Sequence, residues 1–251
     1  MKFRTVVAIA FSLLIFPWVA SAIEGGIPAK DKRAYTDTFP LGDCAFSSTG
    51  GNAYFSLDPG RQASYSNAAC IAAGACDELE ELTITVLFEE KDIPLEINGV
   101  MQNVRTRVIQ EYETADGELA EISRNYFVAC ANNGDVYYFG EDVDIYEDGE
   151  IVSHDGAWLA GVDGSPGIIM PGGAFLIGSR YFQEVAPDVA LDRAEHVGMN
   201  IDVSVPAGDF SGCVEVRETT PLEKHESSTK IYCPGTGLVV DDEVELTGVI
   251  P

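Results

Sequence analysis

From Glu81 onward, apolar and polar residues alternate along the chain with a period of two. Leu82, Ile84, Val86 and Phe88 fall on one side of an extended run, and Glu81, Thr83, Thr85 and Glu89 fall on the other. Such alternation predicts a strand with one dry and one wet face. Val104, Thr106, Val108 and Tyr112 alternate in the same way with Arg105, Arg107, Glu111 and Glu113, which predicts a second strand with its charged side in water. Ala115-Asp116-Gly117 supplies a hairpin turn into a return strand over 118–131. Asn132-Asn133-Gly134-Asp135 turns the chain again into 136–146, and Asp148-Gly149 turns it into Glu150-Ile151-Val152-Ser153. Connections this short join antiparallel neighbours and leave no room for helical crossovers.

The pattern breaks over 154–178, a stretch dense in glycine with Pro166, Pro171 and Trp158. A long loop inside a compact domain is a candidate binding or lid element. Strands are predicted to resume at 180–185, 193–205, 213–219, 229–233 and 238–246. Only 68–82 and 187–196 have helical composition, and neither supports a long helix. The expected fold is all-β: an antiparallel meander that curls into a curved sheet, half-barrel or full barrel, or packs as a sandwich.

The N-terminus changes the picture of where this domain works. Lys2 and Arg4 precede an apolar stretch from Val6 to Phe16, and Ala20-Ser21-Ala22 follows as a small-residue cleavage pattern. This predicts a signal peptide over 1–22, an extended arm over 23–50 and a single β domain over 51–251. The apolar run is shorter than the roughly 20 residues that span a bilayer, so no stable membrane anchor is expected in the mature chain. The destination is the periplasm or the extracellular medium.

Charge narrows the partners. The chain has 15 Lys and Arg against 41 Asp and Glu, a net of −26. Cleavage after Ala22 removes Lys2 and Arg4 and no acid, leaving 13 basic residues and a net of −28. A field of that sign repels nucleic acid and anionic lipid and attracts cations. Hydrophobic residues make up 46% of the chain, enough apolar area to build a core and to set disorder aside.

Six cysteines in an exported chain favour three disulfides over metal thiolates. Cys213 and Cys233 lie at the outer ends of two strand-like runs around a turn near Glu223, so the hairpin sets them opposite each other. Cys70 and Cys76 close a short Ala/Gly-rich loop. Cys44 is left with Cys130, a link that ties the arm to a central strand and contributes roughly 4–5 kcal/mol in the chain-entropy model.

Several segments carry a resemblance. Asn52-x-Tyr54-Phe55-x-Leu57-x-Pro59-Gly60 opens the domain, and Tyr138-Phe139-Gly140-Glu141-Asp142-Val143 and Gly156-Ala157-Trp158-x-Ala160-Gly161 follow. Near the close stand Val205-Pro206-Ala207-Gly208-x-Phe210-x-x-Cys213, Thr220-Pro221-Leu222-Glu223 and Tyr232-x-Pro234-Gly235-x-Gly237-Leu238-Val239. Together they resemble a broad group of uncharacterised secreted bacterial β-proteins, distantly similar to LolA-like curved-sheet carriers. The group has no assigned activity, so the resemblance transfers no catalytic residue. Cys233 stands where the group's pattern has a small residue.

The candidate chemistry is sparse. The run from Glu141 to Asp148 offers hard oxygen ligands, with Asp142, Asp144 and Asp148 as a calcium candidate, although Tyr146 and Glu147 break the EF-hand pattern. A solvated strand edge explains the same charges. His154, His196 and His225 share no metal-binding spacing. Ser165, in Asp163-Gly164-Ser165-Pro166-Gly167, lacks the first glycine of a nucleophile elbow. Glu184 and Asp192 are a possible acid–base pair, one of many among 41 acids. Tyr126, Phe127, Tyr137, Tyr138, Phe139 and Trp158 cluster along the meander and its following loop and are expected in the core; if the sheet is an incomplete barrel, Tyr126, Tyr138 and Trp158, with His154 nearby, line a cavity for an apolar or amphipathic small molecule. The leading expectation is a non-enzymatic binding protein. The alternatives are a calcium-stabilised structural or surface-interaction protein, and a secreted hydrolase using His154, Asp155 and Glu184.

Overall fold

The computed structural model describes residues 34–223 and 227–250. The expected signal peptide, the arm before residue 34 and His225 lie outside these. The first described segment holds a short 3-10 turn (Leu41–Asp43) and three two-residue strands, β1 (Phe46–Ser47), β2 (Gly51–Asn52) and β3 (Phe55–Ser56). Next come β4 (Gln62–Ser66), the six-residue helix α1 (Ala68–Ala73), and the long strands β5 (Glu80–Ile97), β6 (Val100–Ala115), β7 (Glu118–Cys130) and β8 (Val136–Glu147). β9 (Glu150–Ser153), β10 (Trp158–Leu159), β11 (Ser165–Met170), β12 (Arg180–Phe182), β13 (Glu184–Val185) and β14 (Arg193–Val205) follow. β15 (Gly208–Thr219), β16 (Ser228–Cys233), β17 (Gly237–Asp241) and β18 (Val244–Ile250) complete the chain.

Nearly every strand pairs antiparallel with its neighbour in sequence, and β18 returns to β4, so the meander curls into a nearly closed barrel. The two ends of the path are β12, paired with β14, and β13, paired with β11. Only Gln183 separates them. They are two halves of one bent strand, and the thirteen named strands make twelve staves, the even number that an all-antiparallel ring requires.

Alternation decides what enters the barrel. Ala63, Ile84, Glu111, Ser123 and Val143 stand opposite one another in register across β4 to β8, and so do Tyr65, Leu82, Glu113, Glu121 and Ile145. Part of the β6 set that looked wet therefore points inward: Glu111 and Glu113 are buried, while Tyr112 on the opposite face is exposed, and Arg105 stays in solvent. The outer face of this region is dry where the arm covers it. On β8, Phe39 packs edge-on against Tyr137 and Phe46 against Phe139; on β6, Val104, Thr106 and Val108 are buried as well.

Other departures from the pattern have local causes. Phe88 is 79% exposed because the β5–β6 register shifts between Val86 and Glu90. The Arg107 side chain staples that bulge, donating to the carbonyls of Leu87, Phe88, Glu89 and Ser48. The run at 238–246 is a hairpin, folded at Asp242, which takes a left-handed φ of 48°. Within the Gly/Pro-rich stretch, β11 is a buried barrel stave. A Cβ at Gly167 would lie 2.3 Å from the Gln183 carbonyl oxygen, so its glycines serve close strand approach as well as turning.

The disulfides are Cys44–Cys130, Cys70–Cys76 and Cys213–Cys233, the pairs expected from the sequence. Among the described residues no helix is long and apolar enough to cross a membrane.

Candidate functional site

A pocket opens at the end of the barrel capped by residues 50–60. Its wall is apolar: Ala63 on β4, Leu82, Ile84 and Val86 on β5, and Ile109 on β6. Its floor is charged, with Glu111, Lys230 and Asp241 beside Tyr65 and Tyr232. Its rim comprises Tyr54, Phe55, Ser56 and Arg61 on one side and Thr236, Gly237 and Leu238 on the other. Its cavity volume is about 80 Å³.

The rim brings together two segments that the sequence had marked separately. Asn52 fixes the cap by donating to the carbonyls of Gly134 and Met170 (2.9 and 3.3 Å) and accepting from the amides of Tyr54 and Phe55. Leu57 of the same motif is fully buried, and Phe55 packs on Phe127 with ring centroids 5.0 Å apart. The Tyr232-x-Pro234-Gly235-x-Gly237-Leu238-Val239 segment forms the β16–β17 hairpin facing it. The Gly235 amide donates to the Ala53 carbonyl at 2.7 Å, Arg61 donates to the Thr236 carbonyl at 2.5 Å, and the Tyr65 hydroxyl donates to the Leu238 carbonyl at 3.1 Å.

Charge on the floor is unevenly matched. The Lys230 ammonium lies 3.0 Å from Asp241 and 3.4 Å from Glu218, all three buried. Gln183 also donates to Glu218, at 2.6 Å. The acids hold Lys230 well above the usual lysine range against its burial. The Glu111 carboxyl is 6% exposed and has neither a hydrogen-bond donor nor an ion-pair partner among the described residues. Its burial pushes it up to about 8; Lys230 opposes that shift, and Asp241, Glu121 and Glu218 add to it.

A second group of buried acids lies around Glu141, Glu184 and Asp192. Glu184 accepts from the Trp158 indole N–H at 3.2 Å. Burial raises both Glu141 and Glu184 well above the carboxylate range; Asp192 and Glu141 raise Glu184 further, and Glu121 raises Glu141. The pair Glu184 and Asp192, a chance pairing by sequence, is thus brought together.

The aromatic candidates fall elsewhere. Tyr138 and Trp158 are packed in the core, 0% and 2% exposed, where Tyr138 stacks on Phe127 and donates to Asn125. Tyr126 lies on the outer face, donating to Asp142 beneath the Lys91 ammonium. His154 is exposed, with Nδ1 2.8 Å from the Val143 carbonyl and 2.9 Å from Asp144. None of the four lines the pocket.

The acidic run is divided by its own alternation: Glu141, Val143 and Ile145 point inward, and Asp142 and Asp144 point outward. Asp142 is engaged by Lys91 at 3.3 Å, Asp144 by His154, and Asp148 occupies a turn at φ 52°. Among the described residues no group of three His, Cys, Asp or Glu side chains is placed to hold a metal ion, and Asp142, Asp144 and Asp148 are not brought together into one. His154 and Asp155 are exposed while Glu184 is sealed inside, and they do not assemble a hydrolytic site.

Sequence reasoning missed Glu111, Lys230 and Asp241. The signal was present on β6, where Ile109 shares the parity of Arg107, Glu111 and Glu113: an apolar residue in a charged row marks an inward face.

No family model matches the chain, and no curated protein matches it. Among solved structures, the chain is similar to a "putative lipoprotein" from Parabacteroides distasonis. The identity is 14% over 80% of this chain and 99% of that one, with a TM-score of 0.34. A likeness at that level carries no argument about function.

Proposed function

We propose that this protein is an exported, non-enzymatic binding protein that takes a compact amphipathic molecule into the pocket between the 50–60 cap and the β16–β17 hairpin. The observation that carries the reading is the pocket's division into an apolar wall and a charged floor, the arrangement that holds an apolar body and orients a polar head. Two of the segments that carry the resemblance to secreted bacterial β-proteins meet at its rim. Three disulfides suit an oxidising compartment.

Size limits the ligand. Sites for drug-sized molecules run to about 300–1,000 Å³, and the 80 Å³ free here takes one ring or a short branched chain. A lipid's acyl chain does not fit an interior filled by side chains, so the carrier-like expectation narrows to a small molecule.

Titration with indole, followed through the methyl NMR signals of Leu82, Ile84 and Leu238, tests this directly. Saturable shifts at these methyls that vanish in Ile84→Phe are expected. Shifts scattered over the outer surface, or none, would count against the pocket.

A further inference from the structure

Resting on that reading, we infer that the pocket selects an organic cation: an apolar body carrying one ammonium group, which seats its charge on Glu111 and its body against Leu82, Ile84 and Val86. Three observations lead here. Lys230 is already shared between Asp241 and Glu218, whereas Glu111 lines the same pocket, is more than nine-tenths buried and is met by no donor among the described residues. A buried carboxyl without a partner is costly, and a donor supplied by a ligand removes that cost. The rings of Tyr54, Phe55, Tyr65 and Tyr232 line the path inward, and aromatic faces attract ammonium groups.

The alternatives are weaker. An anionic head at the floor meets Glu111 and Asp241, and the one lysine there is already shared with Glu218 behind it. Arg61, the cation at the rim, is tied to the Thr236 carbonyl. A protein of net charge −26 also draws cations and repels anions at a distance.

Binding moves a proton. Without a ligand, the Glu111 carboxyl is pushed up to about 8 and is neutral near pH 7 in an environment that holds Lys230, Asp241, Glu121 and Glu218, with Tyr65, Tyr138 and Glu141 also acting across it. An arriving ammonium favours the carboxylate. The Glu111 O–H bond breaks, its proton leaves to solvent, and the ammonium–carboxylate pair forms with the total charge unchanged.

The test compares phenethylamine, phenethyl alcohol and hydrocinnamate by calorimetry near neutral pH, in two buffers of different ionisation enthalpy. The amine is expected to bind at least about tenfold more tightly than either other compound, the span of one charge-assisted hydrogen bond. It should release close to one proton per site. Glu111→Gln, which copies the neutral acid in shape, should bring the amine down to the level of the alcohol and abolish the release. If the alcohol or hydrocinnamate binds as well as the amine, or Glu111→Gln keeps the amine's advantage, the cation assignment falls and the pocket stands. If none of the three binds, both fall.

Discussion

On the β15–β17 side of the barrel, Glu218 and Asp241 flank the Lys230 ammonium; on the β8–β13 side, Glu141, Glu184 and Asp192 face one another, with the Trp158 indole as a donor. Both groups are buried to a similar depth. The first balances charge with charge. The second is governed by other acids, and burial resolves it by holding protons, because a proton is the smallest counter-charge that fits a dry interior. Glu111 lies between the two regimes. It is close enough to Lys230 to feel it and too far to pair, and it faces an opening through which a ligand can bring a cation.

Removing the ammonium gives the largest expected effect. Lys230→Met should cost about 3–5 kcal/mol in denaturant unfolding by leaving Asp241 and Glu218 buried without a counter-ion. Adding Asp241→Asn and Glu218→Gln should recover much of that loss. A single variant within about 0.5 kcal/mol of wild type would show that the two sides do not differ.

The protonated side sets the next prediction. Glu121 is raised from 4.5 to about 7 and Glu111 from 4.5 to about 8, so between those limits the folded chain binds more protons than the unfolded one. Stability from these groups is full below about pH 4.5 and is lost as pH rises toward 8. The loss amounts to a few kcal/mol for each group, since each tenfold gain in proton affinity on folding is worth about 1.4 kcal/mol. Glu184→Gln should flatten the profile and raise the melting temperature most at alkaline pH. A profile that climbs steadily from pH 5 to 8 would contradict it.

His196 runs the other way and weighs less. Its ring is buried, stacks on Phe175 at 3.6 Å and meets the Tyr181 hydroxyl at 2.9 Å; burial lowers its pKa from 6.5 to about 4. Its contribution is present above about 6.5 and is lost as pH falls toward 4. Ring NMR signals should stay neutral down to about pH 4, and a midpoint near 6.5 would place the ring in solvent.

The smallest effect belongs to the outer face. Asp142→Asn and Asp144→Asn should each change stability by under about 1 kcal/mol, as exposed ion pairs do, and a chelator should leave the melting midpoint in place. A fall on chelation would restore calcium to these acids.

The strands, the turns at Asp116-Gly117 and Asp148-Gly149, and the three disulfides were legible in the sequence because period, turn chemistry and cysteine spacing are local properties. The inward acids were not. Alternation identifies two faces and not which of them is inside, and the usual rule assigns the charged face to water. On β6 that rule fails because the curled sheet turns Glu111 and Glu113 inward while Tyr112 between them faces solvent, a tertiary fact whose local trace is Ile109 in the same row. Glycine misled for a similar reason: Gly164 and Gly167 read as loop residues, yet they let β13 approach β11. Trp158 and Tyr138 were expected in the core and lie there; the cavity they would have lined in an incomplete barrel is absent among the described residues because the sheet curls around them.

The account rests on carboxyl groups that keep their protons at neutral pH inside the barrel, and carbon-13 NMR of the glutamate side-chain carboxyls across a pH titration addresses that directly. It should show the signal absent from Glu111→Gln titrating near 8, and those absent from Glu141→Gln and Glu184→Gln titrating well above the ordinary carboxylate range. A spectrum in which every glutamate ionises near its ordinary value of 4.5 would contradict it.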